Sequence, residues 1–112
     1  MDKSVLEQRA NLFKAMADPV RLQILEFLKD GEKCVCEIIP FICRSQSTTS
    51  KNLDILYRAG ILERRENGRR TLYKIKSPKV LELLNLTDSL LVDWLSTYAK
   101  TVEYLGLQKS SK

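Results

Sequence analysis

Apolar side chains recur at helical spacing through the first thirty residues. The spacing predicts a first helix over residues 4–17, and the pair Asp18-Pro19 predicts the start of a second, since Asp caps helices and Pro suits their first position. The second helix is expected to run to about Lys29, before Asp30-Gly31 ends it. Its expected core positions are Leu22, Ile24, Leu25 and Leu28. The apolar side chains of the first helix are Val5, Leu6, Leu12, Phe13 and Met16.

The middle of the chain predicts two helices separated by a turn. A short helix is expected from Cys34 or Val35 to Phe41, where Pro40 should end it early or kink it. Residues 42–45 form the turn. The next helix is expected over residues 46–59, buried through Leu53 and Leu56.

The pattern then changes period, which indicates strands. Residues 61–65 and 71–75 are predicted to form two strands, and Asn67-Gly68 between them is typical of a hairpin turn. Ser77-Pro78 begins a last helical region. The predicted fold is mainly α with a small β-hairpin, a winged helix-turn-helix in one domain spanning 1–112. Residues 35–59 are its helix-turn-helix and residues 61–75 its wing.

The terminal helices, residues 1–17 and 78–107, carry more apolar surface than a thin domain covers alone. We therefore expect a homodimer formed through both. The alternative is that these side chains cover the domain's own core. The expected seam consists of Val5, Leu6, Leu12, Leu91, Trp94, Leu95 and Tyr98.

Charge and composition narrow the function. The formal charge of +5 favours an anionic partner. No apolar run is long enough for a bilayer and the start does not resemble a secretory signal, so a cytoplasmic protein with reduced thiols is expected, without a membrane partner. Histidine is absent. The sequence also offers no nucleophile with a plausible base and no glycine-rich loop to cradle a phosphate. An enzyme is therefore not expected.

Four segments resemble the arsenic-repressor (ArsR/SmtB) family of metal-sensing regulators. In order they are Ala17-Asp18-Pro19-Val20-Arg21-Leu22-Gln23-Ile24-Leu25, Cys34-Val35-Cys36-Glu37-Ile38, Ser45-Gln46-Ser47-Thr48-Thr49-Ser50-Lys51-Asn52-Leu53 and Arg58-Ala59-Gly60-Ile61-Leu62. The resemblance spans Met16 to Ile75. It implies the winged helix-turn-helix fold, a dimer, and a repressor of transcription that an effector releases from double-stranded DNA.

A run of short polar side chains marks the predicted DNA-reading helix. It comprises Ser45, Gln46, Ser47, Thr48, Thr49, Ser50, Lys51 and Asn52. Gln46 suits adenine in the major groove, as does Asn52 if it reaches a base edge. Phosphate or mixed contacts suit Ser47, Thr48, Ser50 and Lys51. The alternative is a solvated helix start that Ser45 caps.

Four arginines surround the predicted hairpin turn: Arg64, Arg65, Arg69 and Arg70. Guanidinium groups on a wing can follow a phosphate backbone or enter a minor groove. The alternative is charge that protects the edge of a short sheet. A winged-helix module for protein or RNA is a further alternative to a duplex-DNA regulator.

Cys34 and Cys36 form the candidate effector site, since the resemblance implies a Cys-x-Cys for thiophilic ions here. Residues two apart face one side of an extended segment but lie about 200° apart on a helix, so ion binding should favour an unwound helix start. Cys43 is a possible third ligand, although about 10 Å further along a continuous helix. No cofactor is obligatory. The effector could be As(III), Sb(III), a soft metal or an oxidant, or the cysteines could be structural.

Overall fold

The computed structural model describes residues 1–110, which form five helices and three strands. By contacts the chain divides into two compact units, Met1–Pro78 and a second that begins at Lys79. The elements in order are α1 (Lys3–Met16), α2 (Pro19–Leu28), β1 (Lys33–Cys34), α3 (Val35–Ile42), α4 (Gln46–Arg58), β2 (Leu62–Asn67), β3 (Arg70–Ile75) and α5 (Pro78–Ser110).

The start of α2 follows the predicted cap. A carboxylate oxygen of Asp18 accepts hydrogen bonds from the backbone N–H groups of Val20 at 2.9 Å and Arg21 at 3.1 Å. Ile24, Leu25 and Leu28 are buried as expected, but the expectation for Leu22 is wrong because its side chain is 42% exposed. The buried stripe of this ten-residue helix is therefore narrower than the apolar pattern suggested.

The turn between α3 and α4 begins at a left-handed residue. α3 continues two residues past Pro40 to Ile42, so of the two expected effects of this proline an early end of the helix does not occur. A proline inside a helix removes one backbone donor and crowds the carbonyl four residues earlier. Ile38 and Ile42 on either side of Pro40 are buried, so packing against the core keeps the helix continuous. Cys43 then adopts φ 57° and ψ 34°, and its N–H donates to the carbonyl of Ile39 at 3.3 Å.

The sheet is antiparallel, with β3 between β1 and β2. The sequence did not predict β1, in which Cys34 pairs with Leu72 of the hairpin. The turn of the hairpin consists of Gly68 and Arg69, one residue later than predicted. Gly68 has a φ of 65°, as the first position of a tight type II′ turn requires, so Arg69 lies at the tip.

The first unit packs around one core. Its fully buried side chains come from α2, α3, α4 and the residues that lead into β2. The rings of Phe27 and Phe41 stack at 4.0 Å between centroids and join α2 to α3. The central core residues are Ile24, Leu25, Leu28, Ile38, Leu53, Leu56, Ile61 and Leu62.

The second unit is the long helix α5, whose apolar side chains from Leu86 to Leu107 are exposed in the single chain. Among residues 1–110, no helix has the length and apolarity needed to cross a bilayer.

Candidate nucleic-acid interface and thiol pair

The helix α4 begins at the predicted cap and exposes most of the predicted polar run. The Ser45 hydroxyl accepts a hydrogen bond from the backbone N–H of Thr48 at 3.1 Å and contacts the Thr48 hydroxyl at 2.8 Å. The exposed members of the run are Ser45, Gln46, Ser47, Thr48, Ser50 and Lys51.

Two members of the run face inward rather than toward solvent. Thr49 is fully buried and Asn52 is 8% exposed. The Asn52 amide donates to the carbonyl of Thr48 at 2.9 Å and its oxygen accepts from Arg21 at 3.0 Å. Its burial and its internal hydrogen bonds place the Asn52 side chain on the core-facing side of α4, away from the face that is expected to read bases.

Arg21 supports α4 from behind, a role the sequence did not reveal. Besides Asn52, its guanidinium donates to two carbonyls near the end of α1, that of Ala15 at 2.6 Å and that of Lys14 at 3.1 Å. The side chain therefore joins α1, α2 and α4. Arg21 lies in the first of the segments that carry the family resemblance. Its partner Asn52 is 31 residues away, and no local pattern predicts such a pair.

In the wing, Arg64 interacts with aromatic side chains. Its guanidinium lies 4.0 Å from the ring centre of Tyr57 on α4, a cation–π arrangement. A side-chain hydrogen bond with Tyr73 raises the pKa of Arg64 further above its usual value. These contacts fix a permanent positive charge between α4 and the sheet.

Arg65 and Arg70 instead contact glutamates that flank the cysteines. Arg65 donates two hydrogen bonds to Glu32, both 2.8 Å long, and this pairing lowers the pKa of Glu32 below 4.5. Arg70 lies 3.6 Å from a carboxylate oxygen of Glu37. Arg69 is exposed, and among the described residues it has no ion pair.

The structure brings the sulfur atoms of Cys34 and Cys36 together as a disulfide, whereas reduced thiols were expected. Cys34 caps α3 in extended conformation, with φ −73° and ψ 147°, and Cys36 lies in the first turn. The sulfurs therefore meet without the unwinding that we expected, because the helix begins between them. The Cys36 N–H donates to the Cys34 sulfur at 3.1 Å, and Glu37 accepts from the Cys34 N–H at 3.1 Å.

Cys43 lies at the opposite end of α3. It is exposed, and its thiol contacts the carbonyl of Pro40 at 3.2 Å. Across residues 1–110, no cluster of three or more Cys, Asp or Glu side chains is arranged to hold a metal. The structure therefore brings together Cys34 and Cys36 but not the possible third ligand Cys43.

Solved structures with this arrangement are regulators of transcription. The protein Rv0081 of Mycobacterium tuberculosis matches with a TM-score of 0.81 and 30% identity, over 88% of this chain and 99% of that one. A homodimeric winged helix-turn-helix DNA-binding domain from Mycobacterium bovis, a possible ArsR-family regulator, matches with a TM-score of 0.75 and 35% identity, over 82% and 85%. Fold and site define this chain as a winged helix-turn-helix regulator.

Sequence comparison identifies the family. The profile of bacterial regulatory proteins of the arsR family matches residues 18–64. An uncharacterised HTH-type transcriptional regulator of Methanocaldococcus jannaschii is 42% identical over 75% of this chain and 96% of its own. A probable mercury resistance operon repressor of Streptomyces lividans is 33% identical over 75% and 67%. The chain belongs to the arsR family, and the resemblance seen in the sequence is confirmed. The two relatives just described are named as regulators of transcription or repressors.

Proposed function

We propose that this protein is a repressor that binds operator DNA with α4 and the wing. The observation that carries the proposal is the outward face of α4, where Gln46, Ser47, Ser50 and Lys51 are exposed while the opposite face is anchored in the core. Such a helix fits the major groove. The proposed contacts are Ser45, Gln46, Ser47, Thr48, Ser50, Lys51, Arg64, Arg69 and Arg70, with Arg65 as a weaker one because Glu32 holds it.

A salt series on double-stranded DNA tests this function against a protein- or RNA-binding module. The probe is the duplex upstream of the protein's own gene, compared with a scrambled duplex and with RNA of the same sequence. Specific duplex binding that weakens steeply with salt supports the repressor, since neutralised phosphates release counterions. Equal affinity for all three nucleic acids, or none, contradicts it. A protein with this function is cytoplasmic, because its target is chromosomal DNA.

We further infer that the reduced thiolates of Cys34 and Cys36 bind a thiophilic ion and that binding releases the DNA. Two thiolates held this close suit As(III), Sb(III) or a soft metal, with the remaining coordination supplied from solution. Two observations support coupling to DNA: β1 pairs with β3 of the wing, and Glu32 and Glu37 on either side of the cysteines contact wing arginines. The similarity to a mercury resistance repressor agrees with a soft ion.

Oxidation is the second candidate for the signal, because the structure has the two sulfurs bonded. The test of both is DNA binding by fluorescence anisotropy. Reduced protein on its operator is titrated with arsenite, antimonite, cadmium, zinc or a mild oxidant. Release by one addition, lost in Cys34→Ser/Cys36→Ser and kept in the matched variant Cys43→Ser, identifies the signal. DNA binding that no addition alters means that the cysteines are structural.

We also propose a homodimer formed through the apolar surfaces of α1 and α5. Each of the expected seam residues is exposed in the single chain, from 37% at Leu12 to 67% at Tyr98. Large exposed apolar patches on a soluble domain indicate an interface. A dimer would present two α4 helices to half-sites about 34–36 Å apart, one turn of DNA.

Matched leucines on α5 test the seam. Leu95 is 64% exposed and belongs to the proposed seam; Leu86 is 68% exposed and lies about two and a half turns earlier, on the opposite face. Sedimentation should find that Trp94→Ala and Leu95→Ala shift the dimer toward monomer while Leu86→Ala does not. An unaltered mass for both seam variants would remove these residues from the interface.

A further inference from the structure

Cys34 and Cys36 line one side of a cleft that could hold a small molecule. A space of about 420 Å³ lies between the start of α3, the middle of α4 and the wing. We call it the thiol–arginine cleft, lined chiefly by Cys34, Cys36, Ser50, Arg64, Arg69 and Arg70.

The cleft is electropositive. Three of the lining side chains are guanidinium groups, and two carboxylates lie beside them. Glu66 accepts hydrogen bonds from the Thr71 hydroxyl at 3.0 and 3.2 Å, and Glu37 lies 3.6 Å from Arg70, so the cations outnumber the anions. Arg64 interacts mainly with the aromatic side chains of Tyr57 and Tyr73, and the carboxylate of Asp54, which pairs with Arg58, has the smallest influence on its pKa. A cleft lined by cations of this kind concentrates small anions from solution.

The two sulfurs differ in access and in their ability to carry charge. Cys34 is 2% exposed, whereas Cys36 is exposed to solvent. The Cys36 N–H already donates to the Cys34 sulfur at 3.1 Å, at the positive end of α3. An incoming nucleophile therefore reaches Cys36, and a negative charge left on Cys34 is stabilised.

We propose that the thiol–arginine cleft is a thiol–disulfide exchange site for small anionic thiols. The thiolate of the incoming molecule attacks the sulfur of Cys36, a new disulfide forms there, and the Cys34–Cys36 bond breaks. The bonding electrons leave with Cys34 as a thiolate, so the existing disulfide is the only oxidant consumed. The arginines hold the carboxylate of the adduct.

The adduct fills the space between α4 and the wing with negative charge. If the proposed DNA-binding function is right, on which this consequence rests, the adduct repels the phosphates that would pass there and lowers DNA affinity. The exchange chemistry itself does not depend on DNA.

Exchange rates with three thiols of different charge test the site. Oxidised protein carrying Cys43→Ser, so that no other thiol reacts, is mixed with mercaptoacetate, 2-mercaptoethanol or cysteamine. Each rate is referred to the concentration of reactive thiolate. Mercaptoacetate should react fastest and cysteamine slowest, and peptide mapping should find the adduct on Cys36. The preference for the anion should shrink at high salt.

Charge variants provide the control. Arg69→Gln should lower the mercaptoacetate rate by about threefold and leave 2-mercaptoethanol unchanged, while Arg9→Gln on α1 should change neither. Equal rates for the three thiols, an adduct on Cys34, no Cys34–Cys36 bond after oxidation, or a preference that persists in Arg69→Gln each overturn the proposal. Operator binding by the adduct is measured separately, so absence of DNA binding with intact thiol selectivity contradicts only the repressor function.

Discussion

The reading helix and the wing share one proposed task, but their polar side chains are held differently. α4 is fixed from its buried side, through Asn52 and Arg21, and its outward side chains face solvent. In the wing, Arg65 and Arg70 contact Glu32 and Glu37, which lie on either side of the cysteines. The wing is therefore connected by ion pairs to the residues that flank the cysteines. This contrast agrees with the proposed function, in which α4 reads bases and the wing is coupled to the cysteines.

The largest expected effect comes from removing the support behind α4. Arg21→Met deletes hydrogen bonds to Ala15, Lys14 and Asn52 and leaves their acceptors unpaired. We expect the free energy of unfolding to fall by about 2–3 kcal/mol, measured by urea denaturation. Arg58→Met is the matched control: Arg58 is exposed and pairs with Asp54 along α4, so its loss should cost only about 0.3–0.5 kcal/mol. Equal losses would mean that Arg21 does not anchor the helix.

The next largest effect concerns the two arginines that follow the hairpin glycine, Arg69 and Arg70. Arg69→Ala with Arg70→Ala should weaken operator binding by about tenfold or more and reduce the slope of log affinity against log salt by roughly 1–2. The loss should be similar for operator and scrambled duplexes, because phosphate contacts carry no sequence information. Anisotropy at several salt concentrations measures both quantities.

A double variant that removes an arginine together with the carboxylate it binds provides the comparison for Arg69 and Arg70. Arg65→Ala combined with Glu32→Gln removes a bound cation together with its carboxylate, so affinity should stay within about twofold. A loss as large as that of the double arginine variant would mean that Glu32 releases Arg65 to the DNA.

A smaller and more selective effect is expected on the reading helix. Gln46→Ala should lower affinity about fivefold for the natural operator, because one bidentate base contact is lost. A panel of operators with single base changes should contain positions at which wild type discriminates and the variant does not. Ser47→Ala is the control on the same face, with a uniform loss expected. Uniform losses for Gln46→Ala would exclude a base contact at that residue.

The order of helices and strands was predictable because caps, periodicity and turn residues act locally. Asp18 caps α2 and Pro19 is its first residue, and Gly68 adopts the positive φ that the hairpin turn requires. β1 was missed because a two-residue strand has no period to recognise. Asn52 was assigned to the DNA face because its burial depends on Arg21, which is distant in sequence.

The thiol site was predictable in its residues but not in its geometry. Whether Cys34 and Cys36 converge depends on whether α3 begins before or after Cys34, a difference of one residue that no pattern resolves. The pairing of Glu32 with Arg65 joins positions 33 residues apart, and only the register of β1 on β3 reveals it.

The smallest expected effect concerns pH and tests how firmly the wing is tied to the thiol segment. Arg65 lowers the pKa of Glu32 in the folded protein, so the pair stabilises the fold above the ordinary value near 4.5. That contribution is lost as pH falls through the depressed folded value. Glu32→Gln should therefore lower the urea midpoint slightly at pH 7, and the difference from wild type should narrow toward pH 3. Arg65→Met removes the same pair from the other side and should behave alike; a difference that is constant with pH in both variants would mean that the pair does not restrain the wing in solution.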